Sequence, residues 1–205
     1  MIKNIVFDMG NVLLDFNPEE FFNRVGVKDN KDKQLLNKEI YQSIEWAKMD
    51  RGLLTEDQAT KIIEQRVPDN LKQYVHDLVC DWADPIIPIV GAKQLIQELK
   101  ENGYKIYLLS NTSYNYTKFF KEIPGSEYFD GKVVSCELKM IKPELGIYNH
   151  LLDKYSLKAE ETVFIDNSHS NVEAAMCLGI KGIVFHGDYK EVRDKLIQLG
   201  VNVTK

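Results

Sequence analysis

The chain has 205 residues, of which 44% are hydrophobic and 10% aromatic, a composition that supplies a buried core and excludes a disordered chain. Its formal net charge of −5 argues against a nucleic-acid-binding surface, and no apolar run approaches the ~18 to 20 residues of a membrane span. The length fits one domain, or a core domain with a sizeable insertion.

The first element predicted along the chain is a buried strand that ends in an acid. The segment KNIVFD (3–8) is short, apolar, and rich in β-branched and aromatic residues, a pattern typical of such a strand. The strand ends at Asp8, and the position two residues later is Gly10. A charged side chain at the end of a run built to be buried indicates a specific role for Asp8.

The next part of the chain contains helical patterns and no convincing strand. Thr55 and Gln58 have the spacing of a capping box, which predicts a helix start. We therefore predict an all-helical insertion over 17–84 and a core domain over 1–16 and 85–205. The amphipathic segments of the insertion are 18–25, 31–48, 55–67 and 70–83.

Strands and helices alternate in the remainder of the chain. Helical spacing of apolar residues predicts helices within 91–103 and 168–180. The alternation predicts an α/β fold, with a Rossmann-like, doubly wound parallel sheet and helices on both faces. The predicted strands are 105–111, 131–135, 162–166 and 181–186.

Polar side chains follow the predicted strands, at the edge where ligands bind in open α/β sheets. A carboxylate beside an ammonium and a metal can act as a nucleophile, and a hydroxyl and an ammonium can hold phosphate oxygens. Acids on neighbouring strands can bind Mg²⁺. Taken singly, each residue also fits a turn, a helix N-cap or a solvated lysine, but their order along the chain favours a site. They are Asp8, Ser110, Asn111, Lys142, Asp166 and Asn167.

Four short motifs in this order resemble those of the haloacid dehalogenase-like superfamily of hydrolases. They are NIVFDMGNVL, LLSNT, Lys142 within MIKPELGIY, and VFIDNSHSNVEAA. The predicted insertion resembles a C1-type helical cap, and its segment 46–59 is similar to caps in the branch whose first motif reads FDxGNV. That branch contains sugar-phosphate phosphatases.

The resemblance implies a role for each residue of the motifs. Asp8 is expected to be the nucleophile, while Ser110 and Asn111 bind the transferring group. Lys142 is expected to neutralise developing charge and to orient Asp8. Arg51 of the insertion is the candidate contact for a substrate anion. The resemblance also implies a Mg²⁺ site formed by Asp8, the backbone oxygen of Gly10, Asp166 and Asn167.

Two positions depart from the pattern of the family. The family usually has a second Asp, the general acid and base, where this chain has Gly10, and such proton transfer typically contributes ~10²–10⁴-fold. The family commonly has a second acid where this chain has Asn167, whose amide oxygen brings no charge to a metal. We expect weaker metal binding unless Asp166 compensates.

These departures leave three functions open. The first is a Mg²⁺-dependent phosphatase of a small phosphorylated metabolite, such as a sugar phosphate. The others are a metal-independent 2-haloacid dehalogenase and a non-catalytic binding protein. Asp166 and the lack of an identifiable halide-binding arginine in the insertion argue against the dehalogenase, and retention of Asp8, Ser110 and Lys142 argues against the binding protein. We expect a monomer or weak homodimer that binds neither nucleic acid nor membrane. The early strand pattern predicts no signal peptide, and the cysteines, Cys80, Cys136 and Cys177, indicate reduced thiols and a cytoplasmic location.

Overall fold

A five-stranded parallel sheet forms the centre of the protein, whose computed structural model describes residues 1–204. The strand order is β3-β2-β1-β4-β5, and every neighbouring pair is parallel. The predicted α/β fold and all five predicted strands are confirmed. The strands are β1 (Asn4–Phe7), β2 (Lys105–Ser110), β3 (Gly131–Val134), β4 (Thr162–Asp166) and β5 (Lys181–Val184).

Helices occupy most of the remaining described residues. None of them combines the length and the apolar composition that a bilayer-spanning helix requires. The helices between β1 and β2 are α1 (Pro18–Val25), α2 (Asn30–Glu39), α3 (Ile44–Asp50), α4 (Glu56–Glu64), α5 (Asp69–Cys80) and α6 (Ala92–Glu101). The later helices are α7 (Tyr116–Phe119), α8 (Ser135–Leu138), α9 (Leu145–Tyr155), α10 (His169–Cys177) and α11 (Tyr189–Gln198).

The two faces of the sheet are buried in separate apolar clusters. Ile5 and Phe7 of β1 lie in one cluster with Leu95 of α6, whereas Val6 lies in the other with Tyr148 of α9. Successive strand side chains point to opposite faces, so a strand covered on both faces must be apolar at every position. This double burial explains the continuous apolar run that begins the chain.

The helical insertion is confirmed in type, with one correction to its elements. The segment 31–48, predicted as one helix, forms α2 and α3 instead. The interruption occurs because the Ser43 hydroxyl accepts a hydrogen bond from the N–H of Trp46 at 3.1 Å and starts a new helix. The capping box of Thr55 and Gln58 is present as predicted. The domain boundaries at 16/17 and 84/85 stay a prediction.

The strand order places a crevice beside β1. The chain builds β2 and β3 on one side of β1 and then returns to the other side to form β4 and β5. Ligands of open α/β sheets bind where the strand order reverses in this way, outside the carboxyl ends of the strands. Asp8 follows β1 directly, and Asp166 is the last residue of β4. The fold therefore directs both acids to the same crevice.

The insertion is docked on the core by polar contacts to two of its helices. The Ser135 hydroxyl at the start of α8 donates a hydrogen bond to the backbone carbonyl of Asp50. The Ser113 hydroxyl, in the loop after β2, donates to the Glu56 carboxylate of α4 at 2.6 Å. These contacts hold the ends of α3 and α4 over the carboxyl edge of the sheet.

The turn after α3 approaches the core so closely that only glycine fits. Gly52 has a φ of +68°, and a Cβ there would lie 2.2 Å from the backbone oxygen of Cys136. Gly26 has a comparable φ of +89°, but a Cβ there would meet no atom within 4 Å. The two glycines therefore share the left-handed conformation and differ in the close contact.

We expect Gly52→Ala to lower the free energy of unfolding by more than Gly26→Ala. The control carries the left-handed strain alone, roughly 1–2 kcal/mol. Gly52→Ala adds overpacking against rigid backbone, roughly 1–3 kcal/mol more. Urea denaturation of both variants measures the difference, and equal losses would contradict the close approach of the turn to α8.

Candidate active site

One buried lysine connects the ends of three strands. The Lys142 side chain is 1% exposed, and its Nζ lies 2.7 Å from Asp8 Oδ1. The ammonium donates a hydrogen bond to Asp166 Oδ2 at 2.7 Å and another to the backbone oxygen of Leu109 at 3.0 Å. An ammonium has three donors, so these acceptors use all of them. The structure therefore brings together three of the residues that the sequence placed at this edge.

Asn111 holds the backbone of this lysine. Its side-chain oxygen accepts a hydrogen bond from the N–H of Lys142 at 2.8 Å, and its amide nitrogen donates to the Lys142 carbonyl at 3.0 Å. The pair of bonds fixes the loop before α9 against the end of β2. The predicted contact of Asn111 with the transferring group stays a prediction, as does that of the buried neighbour Ser110.

Asp166 is fully buried and surrounded by donors. Its Oδ1 accepts a hydrogen bond from the Ser168 N–H at 2.7 Å, and its Oδ2 accepts from Asn171 at 3.0 Å as well as from Lys142. Sequence analysis did not single out Asn171, because a first-turn helix asparagine carries no signal of its own. With its oxygens occupied, Asp166 is suited to orient the lysine. Its predicted role as a metal ligand stays a prediction.

Asp8 is more exposed than Asp166, the other carboxylate that contacts Lys142. It is 8% exposed, and its backbone N–H donates to the Ile165 carbonyl of β4 at 2.9 Å. Burial raises the pKa of the Asp8 carboxyl to about 6, while the Lys142 ammonium lowers this pKa and the charge of Asp166 raises it. Lys142 thus favours the ionised carboxylate that a nucleophile requires.

A pocket lined by Met9 and Gly10, the two residues after Asp8, opens between the sheet edge and the insertion. Its walls combine three aromatic side chains with polar groups from the loops after β1 and β2. The insertion adds one carboxyl group, that of Asp50. The lining residues are Met9, Gly10, Asn11, Phe16, Trp46, Asp50, Trp82, Asn111, Thr112 and Ser113.

The oxygen atoms near Asp8 fit a magnesium ion in type. Among the described residues, no donor is bonded to the Gly10 carbonyl, and the exposed Asn167 side chain has no hydrogen-bond partner. Mg²⁺ prefers such oxygen ligands, with waters and phosphate oxygens completing its shell. Of the oxygens of Asp8, Gly10 and Asn167, only those of Asp8 carry a charge. This donor set fits a loosely held ion.

Arg51 lies at the boundary between the insertion and the core. Its guanidinium pairs with the Glu144 carboxylate, which immediately precedes α9. Arg51 does not line the pocket at Met9 and Gly10. Its predicted contact with a substrate anion stays a prediction, and the ion pair gives the side chain a second role in docking the insertion.

The chain is similar to known phosphatases along most of its length. A family model described as haloacid dehalogenase-like hydrolase matches residues 2–179. A sesquiterpene phosphatase of Aspergillus oryzae is 27% identical, over 88% of this chain and 88% of that protein. A drimenol cyclase of Aspergillus calidoustus is 26% identical over 91% of this chain, which spans only 34% of that longer protein.

A solved structure supports the same fold. It is a HAD family enzyme of Bacteroides thetaiotaomicron in complex with magnesium and inorganic phosphate. The TM-score is 0.70 at 24% sequence identity, and the match covers 94% of this chain and 99% of that one.

We expect Lys142→Met to destabilise the fold, and more so at alkaline than at acid pH. Removing one partner of a buried ion pair typically lowers the free energy of unfolding by about 3–5 kcal/mol. Without the ammonium that lowers its pKa, the buried Asp8 carboxyl binds a proton that the unfolded chain releases, so stability falls as pH rises. Urea denaturation at acid and alkaline pH measures this, with the exposed Lys190→Met as control. A loss of unfolding free energy that is the same at both pH values would contradict the explanation by an unpaired buried carboxylate.

Proposed function

The chain belongs to the haloacid dehalogenase-like hydrolases, and from this membership we propose that it is a phosphatase of small-molecule phosphate monoesters with Asp8 as the nucleophile. The observation that carries the proposal is the buried contact of Asp8 with Lys142, directly before Met9 and Gly10, which line a pocket. A carboxylate held next to an ammonium at such an edge can attack phosphorus, and the ammonium balances charge that develops there.

The proposed reaction has two displacement steps at phosphorus. The Asp8 carboxylate attacks, the bond to the substrate oxygen breaks, and an aspartyl-phosphate forms while the alcohol leaves with a proton. Water then attacks the phosphorus, which releases inorganic phosphate and regenerates Asp8. Lys142 keeps Asp8 ionised and oriented in both steps, and Ser110 binds a phosphoryl oxygen.

We assign the proposed magnesium site to Asp8, the Gly10 carbonyl and Asn167. Asp166 remains the counter-ion that positions Lys142, because its oxygens are already hydrogen-bonded. Bound magnesium supplies positive charge next to the transferring phosphoryl group. The Bacteroides enzyme of the same fold was solved with magnesium, which supports a magnesium ion as the cofactor.

The walls of the pocket guide the choice of substrates to be tested. Phe16, Trp46 and Trp82 give it an aromatic surface, which suits an apolar alcohol or the apolar face of a sugar ring. The sesquiterpene phosphatase among the relatives supports the first choice, and the FDxGNV motif the second. A panel of isoprenyl and sugar phosphates separates the two. The cytoplasmic location and the oligomeric state stay predictions.

We expect Asp8→Asn to abolish phosphate release while the protein stays folded. The wild type is expected to hydrolyse 4-nitrophenyl phosphate with Mg²⁺ and to lose this activity in EDTA. The variant, which has no nucleophile, is expected to be at least roughly 10³-fold slower. Circular dichroism checks the fold, and turnover by Asp8→Asn at the wild-type rate would refute the mechanism. Halide release from a 2-haloacid without metal would favour the dehalogenase alternative instead.

We expect Asn167→Asp to tighten magnesium binding. A carboxylate adds a charge where the amide oxygen brings none, and we expect the Mg²⁺ concentration for half-maximal activity to fall by about 10-fold or more. Binding of Mn²⁺, followed by electron paramagnetic resonance, gives the affinity without turnover. Asn149→Asp places the same charge on the exposed surface of α9 and serves as control. Equal metal affinities of the two variants would show that Asn167 is not a ligand of the metal.

A further inference from the structure

The proposed phosphatase reaction needs a group that donates a proton to the departing oxygen and accepts one from water. Gly10 stands where the family usually has this acid, and it has no side chain. Of the residues that line the pocket, only Asp50 carries a carboxyl group. Asp50 is therefore the one acid in the pocket wall that could take the role for which Gly10 has no side chain.

Asp50 is held in place by its backbone, and its carboxyl group is uncommitted. It is the last residue of α3, and its carbonyl accepts the hydrogen bond from the Ser135 hydroxyl. Two residues later, Gly52 rests against the backbone of α8. Within residues 1–204, the half-buried Asp50 carboxyl has neither a hydrogen-bond partner nor an ion-pair partner.

The surroundings of Asp50 favour the protonated acid. Burial raises the pKa of Asp50 to about 7, the charge of Asp8 raises it, the Lys142 ammonium lowers it, and Glu56 of α4 raises it. The Cys136 thiol of α8 also neighbours Asp50, and burial raises the pKa of this thiol to about 12, so that it stays neutral. A carboxyl that titrates near neutral pH can both donate and accept a proton during turnover.

We propose that Asp50 of the helical insertion is the general acid and base of this reaction, in place of the side chain that Gly10 lacks. As phosphorus bonds to Asp8 and its bond to the substrate oxygen breaks, the Asp50 carboxyl transfers its proton to that oxygen, and the alcohol leaves. The Asp50 carboxylate then takes a proton from the water that attacks the aspartyl-phosphate. Phosphate is released and both carboxyl groups return to their initial states.

The leaving group of the substrate tests this role. An aryl phosphate departs as a weakly basic phenoxide and needs little protonation, whereas an alkyl phosphate departs as a strongly basic alkoxide. We expect Asp50→Asn to lower kcat/KM for an alkyl phosphate by about 10²–10⁴-fold and that for 4-nitrophenyl phosphate by less than about 10-fold. The exposed Asp57→Asn is the matched control in the same insertion. Should Asp50→Asn fail to fold, Asp50→Ala carries the same comparison.

Gly10→Asp provides a rescue of the Asp50 variant. A Cβ at Gly10 would meet only the Phe16 Cβ, at 4.0 Å, and the φ of Gly10 lies outside the left-handed region. The site therefore accepts a side chain there. We expect the double variant with Asp50→Asn to recover at least about 10-fold of the lost kcat/KM for alkyl phosphates, which a merely structural defect at Asp50 would not allow.

A measurement without turnover complements the kinetics. Burial raises the pKa of Asp50 to about 7 in the folded protein, whereas an unfolded Asp releases its proton near pH ~4. The folded state thus binds more protons in between, and this group makes stability fall as pH rises. We therefore expect the difference in Tm, Asp50→Asn minus wild type, to be larger at about pH 8 than at about pH 5.

The outcomes separate this role from the proposed function. If the wild type releases no phosphate in an Asp8-dependent way, the phosphatase proposal fails and the role of Asp50 fails with it. If the wild type is active but Asp50→Asn loses equally on aryl and alkyl phosphates, or loses nothing, only the role of Asp50 is overturned. Parallel Tm profiles of the variant and the wild type would overturn it as well.

Discussion

The site depends on one buried ammonium group, that of Lys142, which joins the ends of β1, β2 and β4. A buried charge is tolerated only when it is paired and hydrogen-bonded, so Asp8, Asp166 and the carbonyl of Leu109 must converge on it. Asn111, at the end of β2, adds two hydrogen bonds that hold the backbone of the lysine in place. The groups that would perform the chemistry are therefore also the groups that hold the carboxyl edge of the sheet together.

The balance of charge around Lys142 gives both departures from the family pattern a common physical meaning. Two carboxylates face one ammonium, so the buried cluster carries a negative charge unless it binds a proton or a cation. Burial accordingly raises the pKa of Asp8 in the protein without metal. Gly10 and Asn167 each remove an acid from this neighbourhood, which lessens repulsion within the cluster and also lessens its attraction for Mg²⁺.

The sequence was sufficient to predict the sheet, because its strands are buried on both faces and appear as short apolar runs between helical patterns. It also placed Asp8, Lys142 and Asp166 at one edge, since parallel strands that share a sheet end on the same side. It failed where the outcome depends on contacts between distant segments. The break at Ser43 depends on whether one helix continues or the Ser43 hydroxyl caps a new helix. The hydrogen bonds of Asn171 to Asp166 depend on the packing of α10 against β4.

The position of Asp50 in the pocket could not be predicted from the sequence either, because it depends on contacts between distant segments. This position also affects how the proposed chemistry would be controlled. An acid beside the nucleophile, at the position of Gly10, would belong to the rigid sheet edge. An acid at the end of α3 belongs to the insertion and faces the pocket only while the turn at Gly52 rests on α8 and Ser135 holds the Asp50 carbonyl. Proton transfer through Asp50 would then require the docked insertion, so that alcohol release and water attack would be confined to the closed site.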